Sequence, residues 1–412
     1  MKTKRMILGV IVVCVCFSCI MPVQIGGVNS IGLEIGVVDV TDELIILKAV
    51  DVIEKIYKNK DINTEYDLST NIDDDIMVYL NDKIYMHQYV SDLYDRTRTN
   101  YSVEAILKLK ESTETHLKLK FQVITTCRYS NNTNISVNSE VVEVLYDRSL
   151  NMFTDIFAPL NYYDIATRNT EAEYSRGFTK KDMNAFVLTS EIIYKQGELL
   201  NDVNEVYEIE TAPLNSVINS IASENVDTLN DDDIVSYALE NCYKDQPSSG
   251  DSSVVDYYDF SEIEGNYDCT NFVSHALVAG GANINDPGGA GISNSGWYYR
   301  NLNNRSSSWS GVPYLHDYII NNTVSGTLAG TSNMYSLNDS YWKVGSILQL
   351  KYAGLTVYRH SMIITDKEYS NDGQRAYAYA TARTSDEAYQ INEAAETLAP
   401  GGSKRTIYVY NY

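Results

Sequence analysis

Cysteine is scarce in this chain of 412 residues, and half of the supply lies at its amino terminus as Cys14, Cys16 and Cys19. Three widely spaced cysteines remain: Cys127, Cys242 and Cys269. An odd number at such spacing argues against a disulfide framework. At least one of them is therefore expected to be a free thiol or to pair with another molecule, and a free thiol invites a functional explanation.

Positive charge is also in short supply. The chain has 32 Lys and Arg against 55 Asp and Glu, a formal net charge of −23. Such a chain repels polyphosphate, so no nucleic-acid partner is expected. The sequence has no HExxH, no paired CxxC, no Asp/Asn calcium loop and no phosphate-binding glycine loop, and we therefore expect neither a metal nor a cofactor.

Long apolar runs are absent except at the start of the chain. Lys2, Lys4 and Arg5 precede an apolar run over 6–20. A basic start followed by about fifteen apolar residues is typical of a secretory signal peptide and is short for a membrane span. We expect a signal over 1–25, a secreted protein and no stable membrane span. A lipid anchor at Cys19 is the weaker alternative, because Cys16 occupies a position where such a site has an aliphatic residue.

The next region, about 35–165, predicts an α+β domain. The stretch "TDELIILKAVDVIEKIYK" from Thr41 has apolar residues at helical spacing, and Thr41 is a good N-cap. "HLKLKFQVITT" and "ISVNSEVVEVLY" follow with the period-two alternation of strands, separated by the turn "YSNNTN". A helix followed by an antiparallel meander fits the cystatin or nuclear-transport-factor type. Residues 166–230, acidic in their second half, predict a helical and acidic connector.

The stretch "GNYDCTNFVSHALVAGG" predicts a helix with a cysteine in its first turn. Asp268 is a natural N-cap, and the predicted apolar face comprises Phe272, Val273, Ala276 and Leu277. The unpaired N–H groups at a helix start favour a thiolate, and the N–H of Cys269 can donate to an oxyanion. Cys269 is thus a candidate nucleophile. The alternative is a small apolar residue packed at a helix end.

A thiolate nucleophile needs an imidazole, and the chain has five histidines. His275 lies six positions along the same helix, about 240° around its axis, and is expected to be solvated. His316, on another predicted helix, either lines a pocket or is an ordinary surface residue. His360 lies on the second of three predicted strands, "SILQLKY", "YRHSMIIT" and "RAYAYATA", where an apolar setting demands a partner. Cysteine at a helix start followed by histidine on a strand is the chain order of papain-like hydrolases.

These motifs, with "WYYRNLN" and "SSSWSGVPYLHDYI" between them, resemble the family described as putative amidase domains. That family belongs to the papain-like group that includes NlpC-type and CHAP-type cell-wall hydrolases. The resemblance covers roughly 231–412 and implies a papain-like α+β domain in which a cysteine-bearing helix packs on an antiparallel sheet that carries the histidine. It implies Cys269 as nucleophile and His360 as base.

Such sites place a polar residue on the strand after the histidine strand, where it orients the imidazole. Here that position has Arg383, which only donates hydrogen bonds, so Asp386 or Thr381 is expected to take the role. A backbone carbonyl is the remaining alternative. Asp268 and the side chains of Tyr258, Trp297 and Trp309 are predicted to bind substrate. Tyr257 is an alternative to Tyr258 as the tyrosine whose hydroxyl points at the site.

The sequence therefore predicts a secreted, metal-independent cysteine amidase or peptidase. It hydrolyses an amide bond through a thioester, and peptides, in particular cell-wall peptides, are the expected substrates. The alternative is a surface binding or scaffolding protein whose papain-like domain is catalytically inactive.

Overall fold

The described part of the chain is dominated by β-strands. The computed structural model describes residues 41–58, 96–130, 132–159, 226–250, 256–263, 266–334, 342–352, 357–370, 376–399 and 402–412, with scattered positions between 72 and 94. The predicted signal peptide and most of the predicted connector lie outside these residues. The helices whose bounds fall within the described residues are α1 (Asp42–Tyr57), α2 (Asp231–Asn241), α3 (Cys269–Ala279), α4 (Ser307–Ser310) and α5 (Val312–Asn321), with 3-10 turns at Phe260–Glu262 and Ala395–Thr397.

Thirteen strands are described. They are β1 (Arg98–Ser112), β2 (His116–Tyr129), β3 (Ser136–Asp147), β4 (Met152–Phe157), β5 (Asp227–Thr228), β6 (Tyr299–Asn301), β7 (Asn304–Arg305), β8 (Leu328–Met334), β9 (Ile347–Lys351), β10 (His360–Tyr369), β11 (Ala376–Arg383), β12 (Tyr389–Ala394) and β13 (Ser403–Asn411). Eleven of them form one sheet in the order β1-β2-β3-β12-β11-β10-β9-β13-β5, with β4 on β3 and β8 on β13.

Sequence periodicity located the amino-terminal elements correctly. In α1 the buried residues are the predicted apolar stripe Ile45, Ala49, Val52, Ile53 and Ile56. Along β2 the alternate residues Leu117, Leu119, Phe121 and Val123 are fully buried. Because side chains alternate across a strand, this pattern turns one face of β2 toward the core.

The central strands of the sheet are covered on both faces. On the helix face, Ile347, Ile363 and Ile407 pack with α2, α3 and α5. On the opposite face, Leu348, Leu350, Met362 and Ile364 pack with alanines of β11. Burial of both faces explains why "SILQL", "SMII" and "AYAYA" are nearly continuous apolar runs, and the three strands predicted from these stretches are confirmed as β9, β10 and β11.

The amino-terminal and carboxyl-terminal strands belong to the same sheet. β3 pairs with β12, with Val137 opposite Ile391. The described residues between Asp42 and Tyr412 belong to one compact unit. The structure confirms a mixed α/β, sheet-rich fold. The cystatin and papain-like types, and the boundaries at 165 and 231, stay predictions. Within the described residues, no helix combines the length and apolarity needed to cross a membrane.

A buried ion pair joins these two parts of the sheet. Arg96, just before β1, is fully buried and pairs with the equally buried Glu396 after β12. Its guanidinium also donates to the Tyr379 hydroxyl (2.8 Å) and lies 4.0 Å from the Tyr377 ring centroid. Glu396 in addition accepts the backbone N–H of Ala378 (2.9 Å). Both charges are therefore satisfied inside the fold, as burial requires.

Candidate active site

Cys269 lies at the first residue of α3, as predicted, and only 3% of its surface is exposed. Its sulfur accepts from the backbone N–H of Ser361 and contacts Thr270 Oγ1 (3.8 Å), and both contacts lower the pKa of the thiol. Burial acts more strongly in the opposite direction and raises the pKa above its ordinary value. The predicted thiolate is therefore wrong for this state of the protein, because desolvation outweighs the N–H groups at the helix start.

The sulfur is held against the strand that carries His360. Ser361, whose N–H reaches the sulfur, follows His360 directly at the start of β10. Thr270 Oγ1 lies 3.3 Å from Ser361 Oγ, and Gln349 Nε2 lies 3.4 Å from the same hydroxyl. These side-chain hydrogen bonds fasten the start of α3 to β10 and β9.

The end of β11 lies beside the start of α3 in space, and Cys269 lies there next to β10. The last residue of β11 is Arg383, and the carbonyl of Thr384 accepts the backbone N–H of Asp268. The hydrogen bond from Asp268 to Thr384 holds the start of α3 next to the end of β11. Cys269, the next residue, therefore lies close to β10 and can accept the N–H of Ser361.

His360 is buried, with 8% of its surface exposed, and is neutral at physiological pH. Burial lowers the pKa of its imidazole to about 4, and hydrogen bonding to the side chain of Gln390 acts in the opposite direction. A neutral imidazole can accept a proton, which is what a general base must do. The structure therefore offers a neutral thiol and a neutral imidazole on adjoining elements, in place of a preformed ion pair.

The structure brings near His360 a residue that was not among the predicted third positions. Gln390 lies on β12, one strand beyond the expected one, near enough to raise the pKa of His360 against the effect of burial, and its Nε2 lies 3.5 Å from Asn138 Oδ1. Thr381 hydrogen-bonds Thr365 Oγ1 (2.9 Å) and accepts the N–H of Asn392 (3.1 Å). A polar residue in the alternating strand "YQINEA" was the sequence signal for Gln390, but only the sheet order shows that it meets the histidine.

Asp386 lines an acidic cavity of about 300 Å³, whose other charged lining residues are Lys120, Glu143, Asp245, Asp259, Glu262 and Glu387. Burial and then the Glu387 carboxylate raise the pKa of Asp386. The same cavity is lined by Asn266 and Tyr267, which precede the cysteine in the chain. The catalytic role predicted for Asp386 stays a prediction.

Arg383 and Asp268 form a buried ion pair beneath the start of α3. Both side chains are fully buried, with Arg383 Nε 3.1 Å from Asp268 Oδ2. Arg383 also pairs with Asp259 and donates to the carbonyl oxygen of Lys244 (2.7 Å). Asp268 further accepts from the Tyr257 hydroxyl. Burial, then the charge of Asp259, raises the pKa of Asp268 to about 7.

This cluster corrects two expectations. Asp268 precedes α3, but its side chain makes no cap hydrogen bond. The residue has no exposed surface that a substrate could contact. Its predicted substrate role is wrong, because its oxygens face Arg383 rather than solvent. The Tyr257 hydroxyl points at the same carboxylate. Tyr258 is half-buried, with its ring edge-on to Phe260, and its substrate role stays a prediction.

The two tryptophans predicted to line a cleft lie in the core. Trp297 and Trp309 have no exposed surface, and their ring centroids are 4.9 Å apart. The Trp297 indole N–H donates to Ser274 Oγ (3.1 Å), and that of Trp309 donates to Asn271 Oδ1 (2.7 Å). The prediction that they contact substrate is wrong, because both indoles are packed and hydrogen-bonded behind α3.

His275, expected to be solvated, is instead fully buried. Its Nδ1 donates to the carbonyl of Ser249 (2.5 Å), and the ring packs edge-on against Trp309 (5.1 Å between centroids). Burial lowers the pKa of this histidine to about 4. His316 on α5 lies between Asp317 Oδ1 (3.0 Å) and Arg405 Nη1 (2.7 Å).

Tyr352 is a neighbour of the thiol that sequence reasoning missed. It follows β9 and packs with the cluster on the face opposite the helices. Burial raises the pKa of its phenol, and the charge of Cys269 adds to that rise. Its position directly after a strand gave no signal, since 34 tyrosines make any single one uninformative.

The arrangement defines a mixed α/β domain in which a thiol at a helix start meets a histidine-bearing strand of an antiparallel sheet. Residues 228–410 match the model of the family described as "Putative amidase domain". The resemblance inferred from the sequence is thereby confirmed, and the match supports amidase-type hydrolase activity. Neither the curated proteins nor the solved structures contain a match to the chain.

Proposed function

We propose that the protein is an exported cysteine-dependent amidase or peptidase. Cys269 is the nucleophile, and His360 is the general base and acid. The observation that carries this proposal is the contact of the Cys269 sulfur with the backbone N–H of Ser361, the residue after His360. A thiol fixed beside the start of the strand that carries the histidine places a nucleophile and a base on adjoining elements, which supports nucleophilic catalysis.

The neutral states of the two groups set the order of the steps. His360 takes the Cys269 proton as the sulfur attacks the amide carbonyl, and then gives that proton to the departing amine, which leaves a thioester. His360 next takes a proton from water as the water attacks the thioester. The carboxylic acid product leaves, and the proton held by His360 returns to the sulfur. The N–H of Cys269 is a candidate donor to the oxyanion.

Gln390 supports this assignment by its position beside the imidazole. A side-chain amide has an oxygen that can accept a ring N–H, so it can fix the tautomer in the way that a triad carboxylate or amide does. Gln390 adds no negative charge, so the imidazolium formed during the reaction is stabilised less than it is beside aspartate. We therefore infer that Gln390 orients His360 rather than raising its basicity strongly.

A peptide substrate is proposed from the amidase family match and from the predicted export signal, and cell-wall peptides are the leading choice. Digestion of purified wall fragments and of soluble peptides, followed by mass spectrometry, tests this. Cleavage by the wild type that is lost in Cys269→Ala supports the proposal. Equal cleavage by Cys269→Ala, or none by either protein, contradicts it.

An inactive binding protein is the second candidate, and the small exposure of Cys269 and its raised thiol pKa favour it. Such a protein binds the same fragments without cleaving them. Its binding is unchanged in Cys269→Ala, and its Cys269 reacts with iodoacetamide no faster than Cys127 and Cys242 do. The digestion and the labelling together distinguish the two candidates.

A further inference from the structure

Lys404 lies in the same cross-strand row as His360. In the pairing of β13 with β9, Lys404 is opposite Leu350, and in the pairing of β9 with β10, Leu350 is opposite His360. Residues directly opposite one another in an antiparallel pair project from the same face of the sheet. Lys404 and His360 therefore share a face, two strands apart, with Cα atoms about 10 Å from each other.

Contacts of the neighbouring residues confirm which face this is. Arg405, next to Lys404, reaches His316 on α5 (2.7 Å), and Ser361, next to His360, reaches Thr270 on α3 (3.3 Å). Since side chains alternate along a strand, Lys404 and His360 project from the face opposite these helices. Tyr352, whose phenol is affected by the charge of Cys269, packs on that face too.

Lys404 is a half-buried cation, and no direct ion pair joins it to a carboxylate among the described residues. The carboxylate that influences its ammonium group most is Glu396. That carboxylate is already held by Arg96 and by the N–H of Ala378 (2.9 Å). Burial lowers the pKa of Lys404 to about 8, as expected for a cation with too little compensation. A partly desolvated ammonium group of this kind is stabilised by a bound anion.

We propose that Lys404 anchors a carboxylate of the substrate, which makes the favoured substrates peptides with a free carboxylate close to the scissile amide. This inference rests on the proposed function. A Cα separation of about 10 Å is spanned by roughly three extended residues, so the carboxylate lies within about two residues of the cleaved bond. In a chain of net charge −23, a local cation is what allows an anionic substrate to approach.

Alkylation of Cys269 by two small reagents tests the proposal without a known substrate. Iodoacetate carries a carboxylate and iodoacetamide is its neutral counterpart, so the ratio of their rates at Cys269 reports local positive charge. We expect Lys404→Met to lower the iodoacetate-to-iodoacetamide ratio about threefold to tenfold, the effect of one partly screened charge at this distance. Lys404→Gln should lower it likewise, whereas Lys404→Arg should leave it unchanged.

Lys351→Met is the matched control, because Lys351 is the last residue of β9 and its removal changes the net charge equally. An unchanged ratio in Lys404→Met, or an equal fall in Lys351→Met, overturns the carboxylate anchor and leaves the proposed thiol chemistry standing. A Cys269 that neither reagent modifies overturns both. Peptides offered as free acids and as carboxamides give a second readout, in which Lys404→Met lowers kcat/KM for the acids only.

Discussion

Replacement of Arg383 by methionine is predicted to destabilise the fold strongly. Arg383 is fully buried and is shared by the carboxylates of Asp268 and Asp259. Methionine has a similar length but no charge and no donors. The substitution therefore leaves two carboxylates in the protein interior without their common cation, and it also frees the carbonyl oxygens of Cys242 and Lys244.

The expected loss is about 3–5 kcal/mol, the range for removing one partner of a buried ion pair. A folded domain has a total stability of roughly 5–15 kcal/mol, so this loss is a large fraction of it. The pair Arg300–Asp286 is the internal comparison, since its side chains are 35% and 30% exposed. Arg300→Met is expected to cost much less than Arg383→Met because solvent screens that pair.

Urea denaturation of the wild type and both variants, followed by tryptophan fluorescence, measures the difference. Urea is preferred to guanidinium because it does not add salt that screens charges. Combining Arg383→Met with Asp268→Asn should restore at least about 1 kcal/mol, because one buried charge is removed with its partner. A loss in Arg383→Met no larger than that in Arg300→Met would refute the reasoning.

Three further predictions concern the catalytic pair and the link between the two parts of the sheet. Because the pKa of His360 is lowered to about 4, kcat/KM should fall as pH drops through about 4, and an acid limb near 6.5 would contradict the burial of the base. Gln390→Leu should lower kcat/KM by about tenfold to a hundredfold, which is part of the rate enhancement that general-base catalysis supplies. Gln390→Asn should retain more activity than Gln390→Leu. Equal activity of Gln390→Leu and wild type would argue against a role of Gln390 beside His360. Arg96→Met should cost about 3–5 kcal/mol in urea because it leaves Glu396 buried without its cation, and a cost below about 1 kcal/mol would contradict that.

Local pattern was enough to predict the elements that carry the chemistry. The apolar spacing after Cys269 and the strand around His360 depend on neighbours within a few positions, and both elements form as predicted. The choice of a cysteine at a helix start and a histidine on a strand therefore came from local sequence. The identity of the domain family followed from the order of such local motifs.

The surroundings of the pair depend on contacts that local pattern does not encode. Aspartate is a residue type that often caps a helix start, but the carboxylate of Asp268 instead accepts a hydrogen bond from a buried arginine 115 positions away. Trp297 is predicted from the sequence to bind substrate, whereas the structure packs its large side chain in the core. The row that links Lys404 to His360 exists only because β9 lies between β13 and β10. Sheet order is a global property, so no window of sequence contains it.

The raised thiol pKa illustrates how burial can reverse an inference from local chemistry. A helix start does supply N–H groups to Cys269, as the sequence implied. The same residue is buried, and the loss of hydration has the larger effect on the thiol pKa. The account therefore depends on proton transfer to His360 rather than on a thiolate that exists at rest.

The most direct test of this dependence is the rate of Cys269 alkylation by iodoacetamide in the wild type and in His360→Gln, measured at pH 7 by mass spectrometry of the labelled peptides. The account predicts that wild-type Cys269 reacts at least about tenfold faster than Cys127 and Cys242, whose thiol pKa values burial raises to about 12, and that His360→Gln removes most of this advantage. Equal labelling of all three cysteines, or a Cys269 rate that is unchanged by His360→Gln, would contradict it.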